Sequence, residues 1–353
     1  MVCVFMFVAC GPESQTPTNG SGNTPVPKDT NSKSDAGATY RAVADAGTTI
    51  LPDGGIGVCA CNINSQCTQA CACDPDCRYA VNCAAQQIDL TDAGTTEALN
   101  GLAFSANGGW AVGEQNTLLR YQNGVWANAE LSADAPGHQL NDIALSDANN
   151  GWAVGSLVRG GLSSVVVGTV MQLKNNEWIF HQDSPGWELR AIDLVDANNG
   201  WAVGTLGQLA QISDGKVNVS IGGLTSLYGI DVVDMKTGWA VGNNGRIRKL
   251  AEGNWSTEES PTEDSLRDVV LTSATEGWAV GENGTILRLS AGKWTSITGV
   301  TNRTLHSIAV ASNGTIWVVG DHLTVLRCGG SGFEQCCYGA YTSPNLYSVA
   351  TFG

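Results

Sequence analysis

The stretch DANNGWAVG at residues 147–155 recurs unchanged at residues 196–204, 49 positions further along a chain of 353 residues. Looser copies of its second half, in which a Trp is followed by small residues, Val and Gly, lie on both sides of this pair. The tryptophans of the whole array are Trp110, Trp152, Trp201, Trp239, Trp278 and Trp317. Six copies of one phrase indicate a repeat protein.

The copies follow one another at nearly even intervals of 42, 49, 38, 39 and 39 residues. Each Trp is preceded, eleven or twelve positions earlier, by one of Leu99, Leu140, Leu189, Leu227, Leu266 and Leu305. Sixteen positions after the Trp comes a second landmark, in turn Trp126, Val217, Trp255, Trp294 and Phe333. In the second copy this landmark is Trp178, delayed by an insertion of ten residues, 157–166.

Each unit consists of short apolar runs separated by Gly, Asn, Asp and Ser, a pattern typical of half-buried strands and turns. Four short strands per unit of about 40 residues indicate a β-propeller blade. The predicted fold is therefore all-β, a β-propeller of six to seven four-stranded blades over residues 85–353. The blade number stays open because LYSVATFG at 346–353 begins a seventh unit and QQIDLTD at 86–92 fits an outer strand ahead of the first.

The repeated phrase also has a physical interpretation. Asp147 and Asp196 are expected to begin a hairpin turn, where a carboxylate accepts backbone N–H groups. Trp and Val then lie on one face of the next strand, while Ala and Gly on the other face let the neighbouring blade approach. A ligand platform or a calcium loop is the alternative. The structural role is favoured because every unit has the Trp, whereas Ser105 and Ser273 replace the Asp in two units.

The chain ahead of the propeller divides into three parts. Residues 1–10, MVCVFMFVAC, resemble the end of a bacterial signal peptide with a lipobox, and Cys10 is the predicted site of lipid attachment, although Phe7 replaces the usual Leu and no basic residue precedes the apolar run. Residues 11–58 are rich in Pro, Thr, Ser and Gly and are predicted to be a disordered linker. We expect a bacterial envelope lipoprotein of the outer membrane, periplasmic or surface-exposed, or else a secreted protein.

Residues 59–84 form a cysteine-rich module. An even number of cysteines outside the export segment predicts disulfides in an oxidising compartment: Cys59, Cys61, Cys67, Cys71, Cys73, Cys77, Cys83, Cys328, Cys336 and Cys337. A zinc site is disfavoured because neither CxxC spacing nor a nearby His is present. The piece CACDPDCRYAVNC at 71–83 resembles part of a somatomedin-B-like cysteine module, although Ala84 replaces a Cys of that family.

The net charge and a resemblance to a known family limit the possible functions. With 33 acidic and 18 basic residues the net charge is −15, which excludes nucleic acid as a partner. The unit pattern L-x-x-I-x-L, then GWAVG-x-x-G-x-I-x-R and a Trp, resembles the photosystem II stability and assembly factor family, relatives of the sialidase-type BNR repeats, over residues 86–353. The resemblance implies a non-enzymatic scaffold that binds a partner protein.

A glycan-binding or vestigial sialidase-like propeller is the alternative. The nearest sialidase box, SAGKWTS at 290–296, lacks the Asp. We expect no cofactor, no metal and no catalytic residue, since none of the four histidines is paired with a Cys or a carboxylate at the sequence spacing of a metal site or a catalytic triad. Possible binding residues are arginines of one strand slot and of the insertion, namely Arg120, Arg159, Arg248, Arg288 and Arg327. Arginines and carboxylates converging at the ring's axis would favour the glycan alternative, and a smooth channel would favour the scaffold.

Overall fold

A computed structural model describes residues 3–5, 7–8, 40–41, 89–92, 95, 97–129, 137–159, 165–184, 187–298, 300–322, 324–328, 336–339 and 345–352. Ahead of the first repeat lie the short strands β1 (Cys3–Phe5), β2 (Phe7–Val8), β3 (Tyr40–Arg41) and β4 (Asp89–Asp92). β4 pairs with β1 and β3. Cys10 and the seven cysteines of the 59–84 module lie outside the described residues. Within the described ranges no helix has the length and apolar character to span a membrane.

The repeats form six four-stranded antiparallel sheets, so the predicted propeller is confirmed. Blades 1 and 2 consist of β5 (Leu99–Ser105), β6 (Gly108–Gly113), β7 (Leu118–Gln122), β8 (Val125–Asn128), β9 (Gln139–Asp147), β10 (Asn150–Arg159), β11 (Val165–Lys174) and β12 (Glu177–Ser184). Blades 3 and 4 consist of β13 (Leu189–Asp196), β14 (Asn199–Gly204), β15 (Gln208–Ser213), β16 (Lys216–Ile221), β17 (Leu227–Asp234), β18 (Thr237–Gly242), β19 (Ile247–Ala251) and β20 (Asn254–Glu258). Blades 5 and 6 consist of β21 (Leu266–Ser273), β22 (Glu276–Gly281), β23 (Ile286–Ser290), β24 (Lys293–Ile297), β25 (Leu305–Val310), β26 (Ile316–Gly320), β27 (Thr324–Cys328) and β28 (Cys336–Gly339).

Each blade is a meander in which strands a, b, c and d pair in chain order. The a strands of successive blades, such as β5 and β9, lie side by side and surround the axis of the ring. Because neighbouring strands run in opposite directions, the d–a and b–c connections share one face of the ring, which we call the upper face. The a–b and c–d turns share the lower face. In blades 3 to 5 the b–c connection is one 3-10 turn, at Thr205–Gly207, Asn243–Gly245 and Glu282–Gly284.

The b strands, which carry the repeated phrase, are buried on both faces. Trp110 and Val112 of blade 1 pack against Ala153 of blade 2. The same relation links Trp239 of blade 4 to Ala279 of blade 5. The small residue of one blade therefore receives the indole of the blade before it, as the sequence predicted.

Residues 345–352, which end in β29 (Thr351–Phe352), lie between blade 6 and blade 1. The backbone N–H of Leu346 donates to the carbonyl of Gly320, and that of Val349 donates to the hydroxyl of Ser307. On the other side Ala350 packs against the apolar cluster of blade 1. β29 itself pairs with β2 in parallel. This segment therefore adds a seventh inner position to a ring of six complete blades.

Candidate binding site at the mouth of the axial channel

The residue after the first leucine of each a strand lies at the upper mouth of the axial channel. From Leu140 onward these leucines are buried between blades, and strand alternation turns the next side chain the opposite way. Seven such side chains line one pocket of about 180 Å³, and we call them the mouth ring: Asn100, Asn141, Arg190, Tyr228, Arg267, His306 and Tyr347. The seventh member, Tyr347, comes from the segment that lies between blades 6 and 1.

On one side of the mouth, Tyr228 lies between two arginines. The guanidinium carbons of Arg190 and Arg267 are 5.3 Å and 4.9 Å from the centroid of its ring, within cation–π range. Arg190 donates to Glu188 at 2.8 Å, and Arg267 donates to Glu282. Each arginine also has a buried Nε without a hydrogen-bond partner. Both guanidiniums therefore retain donor capacity beyond their ion pairs.

On the other side of the mouth, His306 and Tyr347 form an aromatic pair with ring centroids 5.0 Å apart. The Nε2 atom of His306 is 2.7 Å from a carboxylate oxygen of Asp321. The d–a and b–c connections bring these two residues together, although they lie 15 positions apart in the sequence. Tyr347 remains 48% exposed, so its ring is available to a ligand.

Two asparagines complete the ring. Nδ2 of Asn100 donates to the carbonyl of Leu140 at 2.9 Å, and Nδ2 of Asn141 donates to the carbonyl of Leu189 at 2.7 Å. Asn141 also donates to Glu188, the carboxylate that binds Arg190. These bonds hold both amide groups across the seams between blades and leave their oxygens as acceptors.

Below the mouth, the axial channel contains four aspartates of the a strands: Asp142, Asp193, Asp231 and Asp268. Each joins neighbouring blades through backbone N–H groups. Asp142, for example, accepts from Ile143 in its own strand and from Ile192 in the next blade, both at 2.8 Å. Since the carboxylates satisfy backbone donors across the seams, their role in the described structure is to join the a strands.

Burial strongly affects the ionisation of these aspartates. It raises the pKa of Asp142 to about 7 and that of Asp268 to about 6, against the lowering effect of the hydrogen bonds that they accept. Burial also raises the pKa of Asp193. The pKa of Asp231 is well above its usual value because of burial and then the negative charge of Asp193. Nowhere in the described ranges do three or more potential metal ligands converge.

The prediction that four strand-c arginines share one slot is wrong for Arg248. The other three stand opposite the motif tryptophan of their own blade: Arg120, Arg288 and Arg327. In blade 4 Lys249 takes that place, whereas Arg248 stands opposite Ala240. A shift of one residue along a strand reverses the face. Arg248 donates to the carbonyls of Gly222 and Trp255, and burial lowers its pKa.

Arg120, Arg248, Arg288 and Arg327 do not line the mouth. Arg120 donates to Asn149 at the lower turn of the next blade. Arg159 ends β10 in the insertion, which the structure describes as an extension of the b–c hairpin of blade 2, with Leu157 opposite Val167 and Arg159 opposite Val165. The sequence-predicted arginines and the mouth ring are therefore different sets.

The motif tryptophans are structural contacts between blades. The indole N–H of Trp110 donates to the carbonyl of Ala148, and that of Trp152 donates to the carbonyl of Ala197. Both carbonyls belong to the a–b turn of the following blade. The turn aspartates accept as expected, since Asp147 binds the N–H of Asn149 at 2.8 Å and Asp196 makes the equivalent bond. These contacts supply no ligand platform.

One predicted disulfide cysteine falls on a well-packed strand. Cys328, at the end of β27, is fully buried and disulfide-bonded. Cys336 and Cys337 begin β28, with Cys336 opposite Cys328 in the backbone register. Disulfide formation by the other nine cysteines stays a prediction.

Sequence reasoning missed the mouth ring although its signal was present. The position directly after each leucine landmark is polar or aromatic in all seven units, yet it differs from unit to unit. A search for repeated residues passes over such a position. These seven positions form one site because the a strands converge on the axis of the ring.

Comparison with solved structures supports the fold. A structure of YCF48 bound to D1 peptide matches with a TM-score of 0.52 and 17% identity, covering 67% of this chain and 79% of that one. YCF48 from Cyanidioschyzon merolae matches with a TM-score of 0.55 and 13% identity over 72% and 89%. The WD40 β-propeller domain of Doa1 gives 0.55 and 13% over 72% and 86%.

At these identities the likeness establishes the fold alone. The fold implied by the resemblance to the photosystem II assembly factor family is confirmed, because YCF48 is such a factor. No protein-family model matches the chain, and no curated protein matches it.

Proposed function

We propose that this protein is a non-enzymatic scaffold of the cell envelope that binds another protein through the upper face of its propeller. The observation that carries the proposal is a set of exposed apolar side chains on that face. They range from 37% to 87% exposed, and we call them the apolar rim: Val166, Trp187, Ile221 and Leu224.

The apolar rim follows from the connections of blades 2 to 4. Val166 lies in the extended b–c hairpin, and the backbone of Trp187 lies against Gly168 at the base of that hairpin. Ile221 ends strand d of blade 3, and Leu224 follows in the loop that leads to Tyr228 of the mouth. Apolar side chains grouped beside a polar pocket are typical of protein-binding surfaces.

Related folds support a protein partner. One similar structure is a complex of a propeller with a peptide, and another is a WD40 domain. In the mouth each basic side chain already has a carboxylate partner, which suits a preorganised polar surface. Anchoring through Cys10 belongs to the same proposal and rests on the sequence FVAC before Gly11 and on the spacer at residues 11–58.

The test is a capture experiment from solubilised envelope with the full-length protein and two variants. Trp187→Ser with Leu224→Ser removes the two most distinctive side chains of the apolar rim. Val233→Ser is the matched control, because Val233 is 47% exposed at the lower end of β17. We expect one reproducible protein to be captured by the wild type and the control and lost from the double variant. Equal capture by all three would contradict the upper-face scaffold.

A further inference from the structure

We propose that the mouth ring binds a single neutral sugar residue. The inference stands on residues that are distinct from the apolar rim, so it does not require the proposed protein-binding function. Arginines and carboxylates do converge at the axis, which is the arrangement expected of a glycan-binding propeller.

The size of the pocket restricts its occupant. Its volume of about 180 Å³ lies below the roughly 300–1,000 Å³ of sites for drug-sized ligands. One pyranose ring, presented at the end of a chain or as a free sugar, is a ligand on this scale. The pocket opens to the upper face, so the rest of a longer glycan has a free exit.

The lining offers both donors and acceptors. The side chains of Arg190 and Arg267 are 37% and 31% exposed, and each uses its Nη2 group for the ion pair, so the remaining exposed N–H groups can donate to a ligand. The amide oxygens of Asn100 and Asn141 and the hydroxyl of Tyr347 make no hydrogen bond to another described residue. A sugar hydroxyl both donates and accepts hydrogen bonds, so the hydroxyls of one sugar can pair with both the donors and the acceptors of the lining. A ligand that left these polar groups unpaired would bind less favourably.

An aromatic surface is also present. Tyr347 is nearly half exposed, and the ring of His306 holds it from one side. The C–H groups of a pyranose ring pack against such an amphipathic ring, whose hydroxyl reaches a polar partner. Tyr228 differs because the two guanidiniums cover its ring, so its part is to keep those arginines in place.

The charge balance selects a neutral sugar over an acidic or amino sugar. Arg190, Arg267 and His306 are each paired with a carboxylate, respectively Glu188, Glu282 and Asp321. An acidic sugar would compete with these carboxylates inside a chain of net charge −15. An amino sugar would face two guanidiniums at short range. A neutral ligand avoids both repulsions.

The experiment is a titration of the full-length protein, followed by saturation-transfer NMR, with glucose, galactose, mannose and N-acetylglucosamine. Glucosamine and N-acetylneuraminic acid are the charged comparisons. We expect at least one neutral sugar to bind saturably and more tightly than both charged sugars. Tyr347→Ala and Arg190→Gln should each weaken that binding by roughly tenfold or more. Tighter binding of a charged sugar, or no saturable binding of any neutral one, would overturn the proposal.

Two controls keep the result interpretable. The double variant of Trp187→Ser with Leu224→Ser lies outside the pocket lining and should retain the sugar affinity while losing the protein partner, so the two proposals fail separately. Tyr347→Phe keeps the ring and removes the hydroxyl, and is expected to fall between the wild type and Tyr347→Ala. Melting curves of every variant show whether the fold is intact; a folded Tyr347→Ala with unchanged sugar affinity also contradicts the proposal.

Discussion

Strand b and the mouth of the channel serve the propeller in opposite ways. Strand b has nearly the same residues in each unit, with Trp, Ala, Val and Gly in register, and most of its residues are buried in every blade. The mouth position has Asn, Asn, Arg, Tyr, Arg, His and Tyr in the successive units. Each strand b meets the same neighbour, a copy of itself, and so needs the same side chains. The mouth residues instead converge on one point, where different groups make one site.

The largest expected effect tests this contrast within blade 4. Trp239→Ala should lower the free energy of unfolding by about 3–5 kcal/mol, because it leaves a cavity at the seam where Trp239 meets Trp294 edge to face. Tyr228→Ala at the mouth should cost about 1–2 kcal/mol, since it removes two cation–π contacts. Denaturant unfolding measures both. Equal losses would show that the mouth is as structural as strand b.

A smaller effect tests the glycine that ends strand b. A Cβ on Gly242 would lie 2.1 Å from the carbonyl oxygen of Ser226. Gly242→Ala should therefore cost about 1–3 kcal/mol through a forced shift of the backbone. Gly223→Ala, in the loop next to the mouth, is the control, because a Cβ there meets nothing within 4 Å. The control should stay within about 0.5 kcal/mol of the wild type in the same unfolding assay.

A pH-dependent effect concerns the aspartates between these two regions. Burial raises the pKa of Asp142 to about 7, so the folded state binds a proton more tightly than the unfolded chain. This contribution to stability is fully present below the ordinary aspartate pKa and is lost as pH rises through about 7. Melting temperatures measured from pH 4 to 8 should fall along this range, and Asp142→Asn should flatten the fall.

Asp196→Asn is the control for that series. Hydrogen bonds from the turn lower the pKa of the exposed Asp196, so its small contribution has the opposite sign and appears as pH rises from acid. If Asp142→Asn and the wild type have parallel profiles, the axial carboxylates do not couple protonation to folding.

The fold was predictable because its signal is repeated. Each Trp with its leucine landmark marks the same seam, and six concordant copies define the blade. The mouth ring was harder to predict, because its members occupy the same position of strand a in each unit but differ in residue type. Arg248 shows a second limit: a count that is wrong by one residue assigns a strand side chain to the wrong face. The contact of His306 with Asp321 depends on two connections meeting above the sheet, which spacing alone does not encode.

The indole bonds between blades all point in one rotational sense. Trp110, Trp152 and Trp201 each donate to the a–b turn of the blade that follows, never to the blade before. The ring is therefore directional, because each of these hydrogen bonds runs from one blade to the next blade along the chain. A change in one a–b turn therefore alters the indole hydrogen bond of the preceding blade and not that of its own blade.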